Sequence, residues 1–456
     1  MEKLQVAMIG AGSRSFSGSM IRDFLLDKDL ANVPVSLRLM DVVEDNLKPI
    51  HGYLRTLCDK YGKKNLTAVE TTDLGAALDG ADFVIVSLEV DRYAYWTQDF
   101  HVPRMNGSNQ IYGENGGPGS LFHALRNMGP VVNVAREMER LCPGALLLNF
   151  SNPEHKLCEA VTRLTKIRNV GLCHGIGDGW QHLSIILGMP IEKLDTAACG
   201  INHFTWFQKI RHADTGEDLY PLLREREPKA RWMTYWDELA LGRILFRRFG
   251  LWPSPGTNHY GEYIRWAHEF WMPQVEFFYD HAEGPPWENG HVPDFFYSLS
   301  GKSTIAPGPA PWIHNNEDIL KFGLLEVDGI KPSGEQAVPI IASLALGIEK
   351  DIPSVNIRNN GSIPNLPEDL IVEVPAVAGQ ENLRPVQMDP LPEPIACLIR
   401  TQASIHRLLV EAFAEQSRDK LLQCVLLDPT VDSYRGAVNM VDQLMSLQRG
   451  LLPEFK

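Results

Sequence analysis

Leu4-Gln5-Val6-Ala7-Met8-Ile9 runs straight into Gly10-Ala11-Gly12-Ser13, after which Phe16, Met20, Ile21, Phe24 and Leu25 recur at helical spacing. A strand that is apolar almost throughout needs cover on both faces, and a glycine turn that throws the chain directly into a helix is how parallel strands are joined. The alternation continues. Val35 to Met40, Leu66 to Val69, Phe83 to Val86, Ala145 to Phe150 and Asn169 to Leu172 read as strands, with helical runs at Leu47, Ile50, Leu54 and Leu57, at Leu74 to Leu78, and in a long stretch ending near Leu141. Strands separated by helices predict an α/β fold with a doubly wound parallel sheet of the Rossmann type.

In such a turn the glycines allow a tight bend and the close approach of a pyrophosphate, which rests on the N–H groups of the helix N-terminus. Ser15 occupies the slot of the third glycine of the usual fingerprint. Asp41 closes the second strand, where a carboxylate accepts hydrogen bonds from adenosine ribose hydroxyls and favours NAD over NADP; the plain alternative is a strand-end carboxylate with no ligand. Gly10, Gly12, Ser13, Asp41 and Ser87 form the candidate cofactor set. The glycine-dense run Gly113-Glu114-Asn115-Gly116-Gly117-Pro118-Gly119-Ser120 either wraps a cofactor or turns a corner before the long helix. Ligands of open α/β sheets bind at the carboxyl ends of the strands. Ser151-Asn152-Pro153 and Cys173-His174 both arrive there.

A chain of 456 residues exceeds what one core supports. Past Gly188 the pattern changes: Thr196 to Arg211 and the stretch after Asp214-Thr215-Gly216 look like hairpin strands. The expected division is a Rossmann-type domain over 1–190 and a mixed α+β domain over 191–456 for substrate, metal and oligomerisation. Within the second, Arg231 to Phe249 leans helical, Pro253 to Tyr263 reads as a loop, Gly284 to Pro311 is rich in proline and glycine, Ser354 to Val374 reads as sheet and turn, and Leu391 to Gln423 as one long helix.

The net charge of −14, with Lys and Arg scattered singly, argues against nucleic acid or anionic membrane as a partner. No stretch approaches the roughly 18 apolar residues of a membrane span. Met1-Glu2-Lys3-Leu4 enters a strand without a signal-peptide core. Seven cysteines without a CxxC spacing point to a reducing compartment, so a cytoplasmic location is expected.

Two runs carry metal-type chemistry. Gly171-Leu172-Cys173-His174-Gly175-Ile176 and Gly200-Ile201-Asn202-His203-Phe204 each set a thiol or an imidazole beside a glycine. Two ligands are too few for a structural zinc site and suit a catalytic cation that keeps positions open for substrate. A buried thiol and a satisfied core histidine are the plain alternative.

Taken together, these motifs resemble glycoside hydrolase family four, the NAD- and metal-dependent glycosidases. The resemblance spans nearly the whole chain: Gly10 to Ser13, the Glu114 to Gly119 loop leading to Ala124-Leu125-Arg126, Asn149-Phe150-Ser151-Asn152-Pro153, Cys173-His174, Ile201-Asn202-His203-Phe204, Asn359 to Pro367, and Leu426-Leu427-Asp428-Pro429. It implies a lactate-dehydrogenase-like fold, a homodimer or homotetramer, NAD recycled in each turnover, and a divalent metal, usually manganese. It also implies Cys173 and His203 as metal ligands, Asn152 and Arg92 as substrate contacts, His174 as general acid, and Tyr260 or else His259 as base. The implied reaction is oxidation at C3, removal of the C2 proton, loss of the aglycone from C1, addition of water and return of the hydride, a scheme that stands outside the usual carboxylate pair.

A histidine after the cysteine resembles the members acting on unphosphorylated α-glycosides, and Cys-His-Gly-Ile is similar to the α-galacturonidase group. After Arg265 no Lys or Arg occurs until Lys302, whereas phosphate recognition wants a cationic cluster. A single carboxylate needs fewer donors, with Arg92, Arg265 and the amides near Gly175 as candidates. The competing readings are an α-galactosidase or α-glucosidase of the same family, a sugar or hydroxy-acid dehydrogenase consuming NAD stoichiometrically, and an NAD-sensing regulator that tolerates loss of Cys173.

Overall fold

The computed structural model describes residues 3–230, 236–270, 325–380 and 382–456, with residues 282 and 284 and the short strands 275–278, 294–299 and 302–306. Strands β1 (Leu4–Ile9), β2 (Val35–Met40), β3 (Leu66–Thr71), β4 (Phe83–Val86), β5 (Leu146–Asn149) and β6 (Arg168–Gly171) lie in the order β3-β2-β1-β4-β5-β6, all parallel. This is the doubly wound order, and its reversal beside β1 opens the crevice where ligands bind. The apolar runs are explained by two-sided cover. Ala7, Ile9, Val84 and Val86 face a core made with helices Gly117–Leu141 and Glu154–Leu164, while Val6, Met8, Phe83 and Ile85 face one made with Arg14–Leu26, Glu44–Tyr61 and Ala337–Leu346.

The sheet does not end near residue 190. Beyond β6 it continues antiparallel through β13 (Lys350–Arg358), β14 (Ile371–Ala378), β7 (Leu194–Ile201), β8 (Phe204–His212) and β9 (Trp252–Ser254), with β15 (Leu383–Pro385) also on β14. Strands β10 (Val275–Phe278), β11 (Asp294–Leu299) and β12 (Lys302–Ala306) form a small separate sheet. Much of the proline- and glycine-rich run 284–311, and residues 231–235 of the helical one, lie outside the described residues.

Several local expectations differ from the structure. The hairpin β7–β8 forms, but the chain after Gly216 makes a single bridge, Arg211 to Asp218, and enters a helix at Tyr220–Arg226. Pro221 at the start of that helix favours it over a strand, since proline lacks the ladder donor. The long C-terminal helix breaks. Gln416, at φ +55°, caps Glu393–Glu415, and the Ser417 hydroxyl accepts the Lys420 N–H to start Arg418–Leu427. Pro253 to Tyr263 holds a short strand, β9, and a short helix, Thr257–Tyr260, rather than continuous loop.

Candidate active site

The turn after β1 is built so that only glycine fits. Gly10 has φ +84°, and a Cβ on it would stand 2.1 Å from the Ser87 carbonyl oxygen. A Cβ on Gly12 would stand 2.7 Å from Asp41 Oδ2, which accepts the Gly12 N–H at 2.9 Å. Asp41 Oδ1 accepts the Val43 N–H at 3.0 Å, so each oxygen keeps acceptor capacity. Ser13 caps helix Arg14–Leu26, its hydroxyl accepting the Phe16 N–H. Next to Asp41, Val42 and Val43 stand 83% and 48% exposed, apolar surface of the kind a flat base covers. These features fit a dinucleotide.

Across the crevice, three side chains from distant parts of the chain converge. One ligand atom each from Glu114, His203 and His259 lies within 4.8 Å of the others. His203 sits in the tight link between β7 and β8 with φ +64°, a left-handed conformation costing a non-glycine residue roughly 1–2 kcal/mol, and such strain gathers at functional sites. Its ring meets that of His259 edge-on at 4.3 Å. The Nδ1 atoms of both rings are buried without a hydrogen-bond partner. Burial holds both imidazoles below their usual pKa, His203 far below, so they are neutral and can donate a lone pair. Glu114 is 3% exposed; burial would raise its carboxyl, but the paired Arg92 guanidinium, the largest opposing charge, holds it below the usual range. Two unpartnered neutral imidazoles beside an ionised carboxylate fit a divalent cation.

Arg92 also approaches Glu89 at 3.7 Å and lies over the Trp96 ring. Glu89 receives His123 Nε2 at 3.0 Å and Asn127 Nδ2 at 2.7 Å; despite its burial, these groups and Arg92 hold it down to about 2. His123 is fixed from the other side by the Glu114 carbonyl at 3.0 Å. Acidic partners thus largely neutralise the guanidinium.

Cys173 stands outside the converging group. Its sulfur accepts the Gly175 N–H at 3.4 Å and a hydrogen bond from the Asn202 side chain, while burial and Glu373 push the thiol up. Glu373 is itself raised to about 7 by burial and takes the Ser354 hydroxyl at 2.6 Å and Asn202 Nδ2 at 3.3 Å. His174 opens the helix Gly175–Leu187, with protein around it but its side chain 79% accessible. Its Nδ1 lies 3.3 Å from Glu335 Oε1, and that contact raises its pKa. Asn152 follows β5 at the same edge, its carbonyl held by Asn127 Nδ2 at 2.8 Å.

Two expected residues are placed elsewhere. Tyr260 is 1% exposed in a hydrophobic cluster with Phe204 and Trp206, its hydroxyl 3.2 Å from that of Thr257 and packed on Gly242. Of the two candidate bases, His259 is therefore the one that joins the cluster. Arg265 is a surface residue paired with Asp432 at 2.5 Å, so the crevice receives no guanidinium from it. Sequence reasoning assigned no role to Glu114, Glu89, His123 or Glu262. Glu114 alone carried a signal, as the one charged residue in the glycine-dense loop.

A doubly wound sheet with a polar, cation-fitting crevice at its carboxyl edge defines an α/β enzyme class shared by many chemistries. Residues 5–187 match the model described as "Family 4 glycosyl hydrolase", and residues 198–431 the one described as "Family 4 glycosyl hydrolase C-terminal domain". The chain belongs to this family of glycosidases. It is 29% identical to an "Alpha-glucosidase" of Erwinia rhapontici, over 99% of both chains. It is 26% identical to an "Alpha-galacturonidase" of Thermoanaerobacter italicus, over 99% of this chain and 98% of the relative. The solved structure of a "6-phospho-alpha-glucosidase from Gut Microorganisms in Complex with NAD and Mn2+" superposes with a TM-score of 0.76 over the full length of both chains at 21% identity. Among the described residues no helix is long and apolar enough to cross a membrane.

Proposed function

We propose that the protein hydrolyses α-glycosides of unphosphorylated sugars, α-galacturonides foremost, with NAD and a divalent cation such as manganese. The observation that carries this reading is the convergence of Glu114, His203 and His259 beside Arg92. Arg92 offers a carboxylate its guanidinium, whereas a phosphate would want a cluster; the Gly175 N–H is taken by Cys173, and Arg265 is engaged at the surface. That same engagement, with Arg92 already balanced by Glu114 and Glu89, favours a neutral α-galactoside or α-glucoside as the second reading.

When bound, the dinucleotide supplies a hydride acceptor and donor, and the cation supplies Lewis acidity at a sugar ketone. Glu114 and His203 would hold the cation, and Cys173, although it stands outside that group, would be the candidate for a further ligand. Arg92 and Asn152 orient the sugar. His259, neutral and buried, takes the C2 proton, and the accessible His174 gives a proton to the departing oxygen.

Two results test this. In deuterated water, with catalytic NAD and manganese, p-nitrophenyl α-galacturonide should release a sugar deuterated at C2, and His259→Gln should suppress that label while still binding the metal. Absence of label in the native enzyme would exclude elimination, and faster turnover of α-galactoside or α-glucoside would replace the uronide reading with the neutral one. For His174→Gln, turnover of disaccharides should fall roughly 10²–10⁴-fold, the size of general acid catalysis, while turnover of p-nitrophenyl glycosides, whose leaving group departs without a proton, should largely persist. An equal loss on both substrates rules out His174 as the acid.

A further inference from the structure

The site's three converging side chains come from three separate segments, and one short stretch of backbone joins them all. Glu262 follows His259 by three residues and is fully buried. Burial and the Glu114 charge push its carboxyl up, and backbone donors oppose them: its oxygens accept the Glu114 N–H at 2.6 Å and the Asn115 N–H at 3.1 Å, with the Gly116 N–H as a further donor. Lys156 Nζ donates to the Asn115 carbonyl, so Asn115 is held at both its N–H and its C=O. The next residue, Tyr263, places its hydroxyl 3.2 Å from the Asn115 carbonyl and 3.1 Å from that of Asn202, immediately before His203. There is no slack in the contact: a Cβ on Gly116 would stand 2.6 Å from Glu262 Cβ.

We propose that Glu262 is a positioning residue, whose carboxylate ties the Glu114 loop to the turn carrying His259 and, with the Tyr263 hydroxyl, to the link carrying His203. It thereby sets the spacing of the cation ligands and the C2 base. This rests on the cation-dependent reading above. Ligand sites work only when held within about 0.5 Å of productive geometry, and groups that orient ligands typically contribute 10–100-fold to metal affinity. A carboxylate can accept several N–H groups at once because both of its oxygens are acceptors. Glutamine at 262 would keep one acceptor and turn an NH₂ toward amides that need one.

The test is Mn(II) titration of the full-length protein, reading the free aquo ion by electron paramagnetic resonance, together with dinucleotide binding and thermal melting. For Glu262→Gln the manganese Kd should rise about 10–100-fold in folded protein, with dinucleotide binding unchanged. Tyr263→Phe, which removes one hydroxyl, should raise it severalfold, and this variant carries the test if Glu262→Gln does not fold. A purely structural Glu262 would lower the melting temperature and leave the Kd of folded protein as in the native chain, and that result overturns the proposal while the cation reading stands. Failure of the native protein to bind manganese would instead overturn the cation reading, and this proposal with it.

Discussion

His203→Asn should lower kcat/KM roughly 10³-fold, because losing a ligand that positions a Lewis acid removes several kcal/mol of transition-state stabilisation, about 4 kcal/mol here. Asparagine is the informative replacement. It tolerates the left-handed backbone that His203 adopts at φ +64°, so the β7–β8 link survives while the imidazole is lost. Manganese binding should fall with activity, and dinucleotide affinity should hold, since the Gly10–Ser13 turn belongs to other strands. Activity within tenfold of native would show that His203 does not hold the cation.

Gly10→Ala should act through the other half of the crevice and through stability as well. The backbone at φ +84° costs an alanine roughly 1–2 kcal/mol. Its Cβ would also overlap the Ser87 carbonyl oxygen, 2.1 Å away, which is main chain and cannot rotate aside. Strands β1 and β4 would have to separate, so a total loss of about 3–5 kcal/mol is expected, at the severe end for point substitutions. Calorimetry should show a clearly lower melting temperature and titration no dinucleotide binding. A variant that melts within two degrees of native and binds NAD normally would mean the turn is not as tight as the structure shows.

The parallel half of the sheet was legible because each of its strands announces itself locally. Runs such as Phe83-Val84-Ile85-Val86 are buried on both faces and bounded by helix-spaced apolar residues, so composition and period coincide. The turn at Gly10 and Gly12 was legible for the same reason, since the requirement for glycine is met within a few residues. The break at Gln416 was not, because a left-handed cap on a non-glycine residue leaves little trace in the sequence.

What the sequence determined by itself was therefore whatever depends on neighbours in the chain: the alternation of strands and helices, the glycine turn, the polar residues at the ends of β5 and β6, and the family they resemble. Only the tertiary structure decided which of the candidate polar residues meet. His259 and Tyr260 are adjacent in sequence, yet one turns to Glu114 and His203 while the other is packed on Gly242 in the core. Arg265 looked like a donor until Asp432, far along the chain, took it at the surface. Glu114 and Glu262 carried no ligand pattern, because their roles come from contacts across 148 residues of chain, and no local period records a contact at that separation.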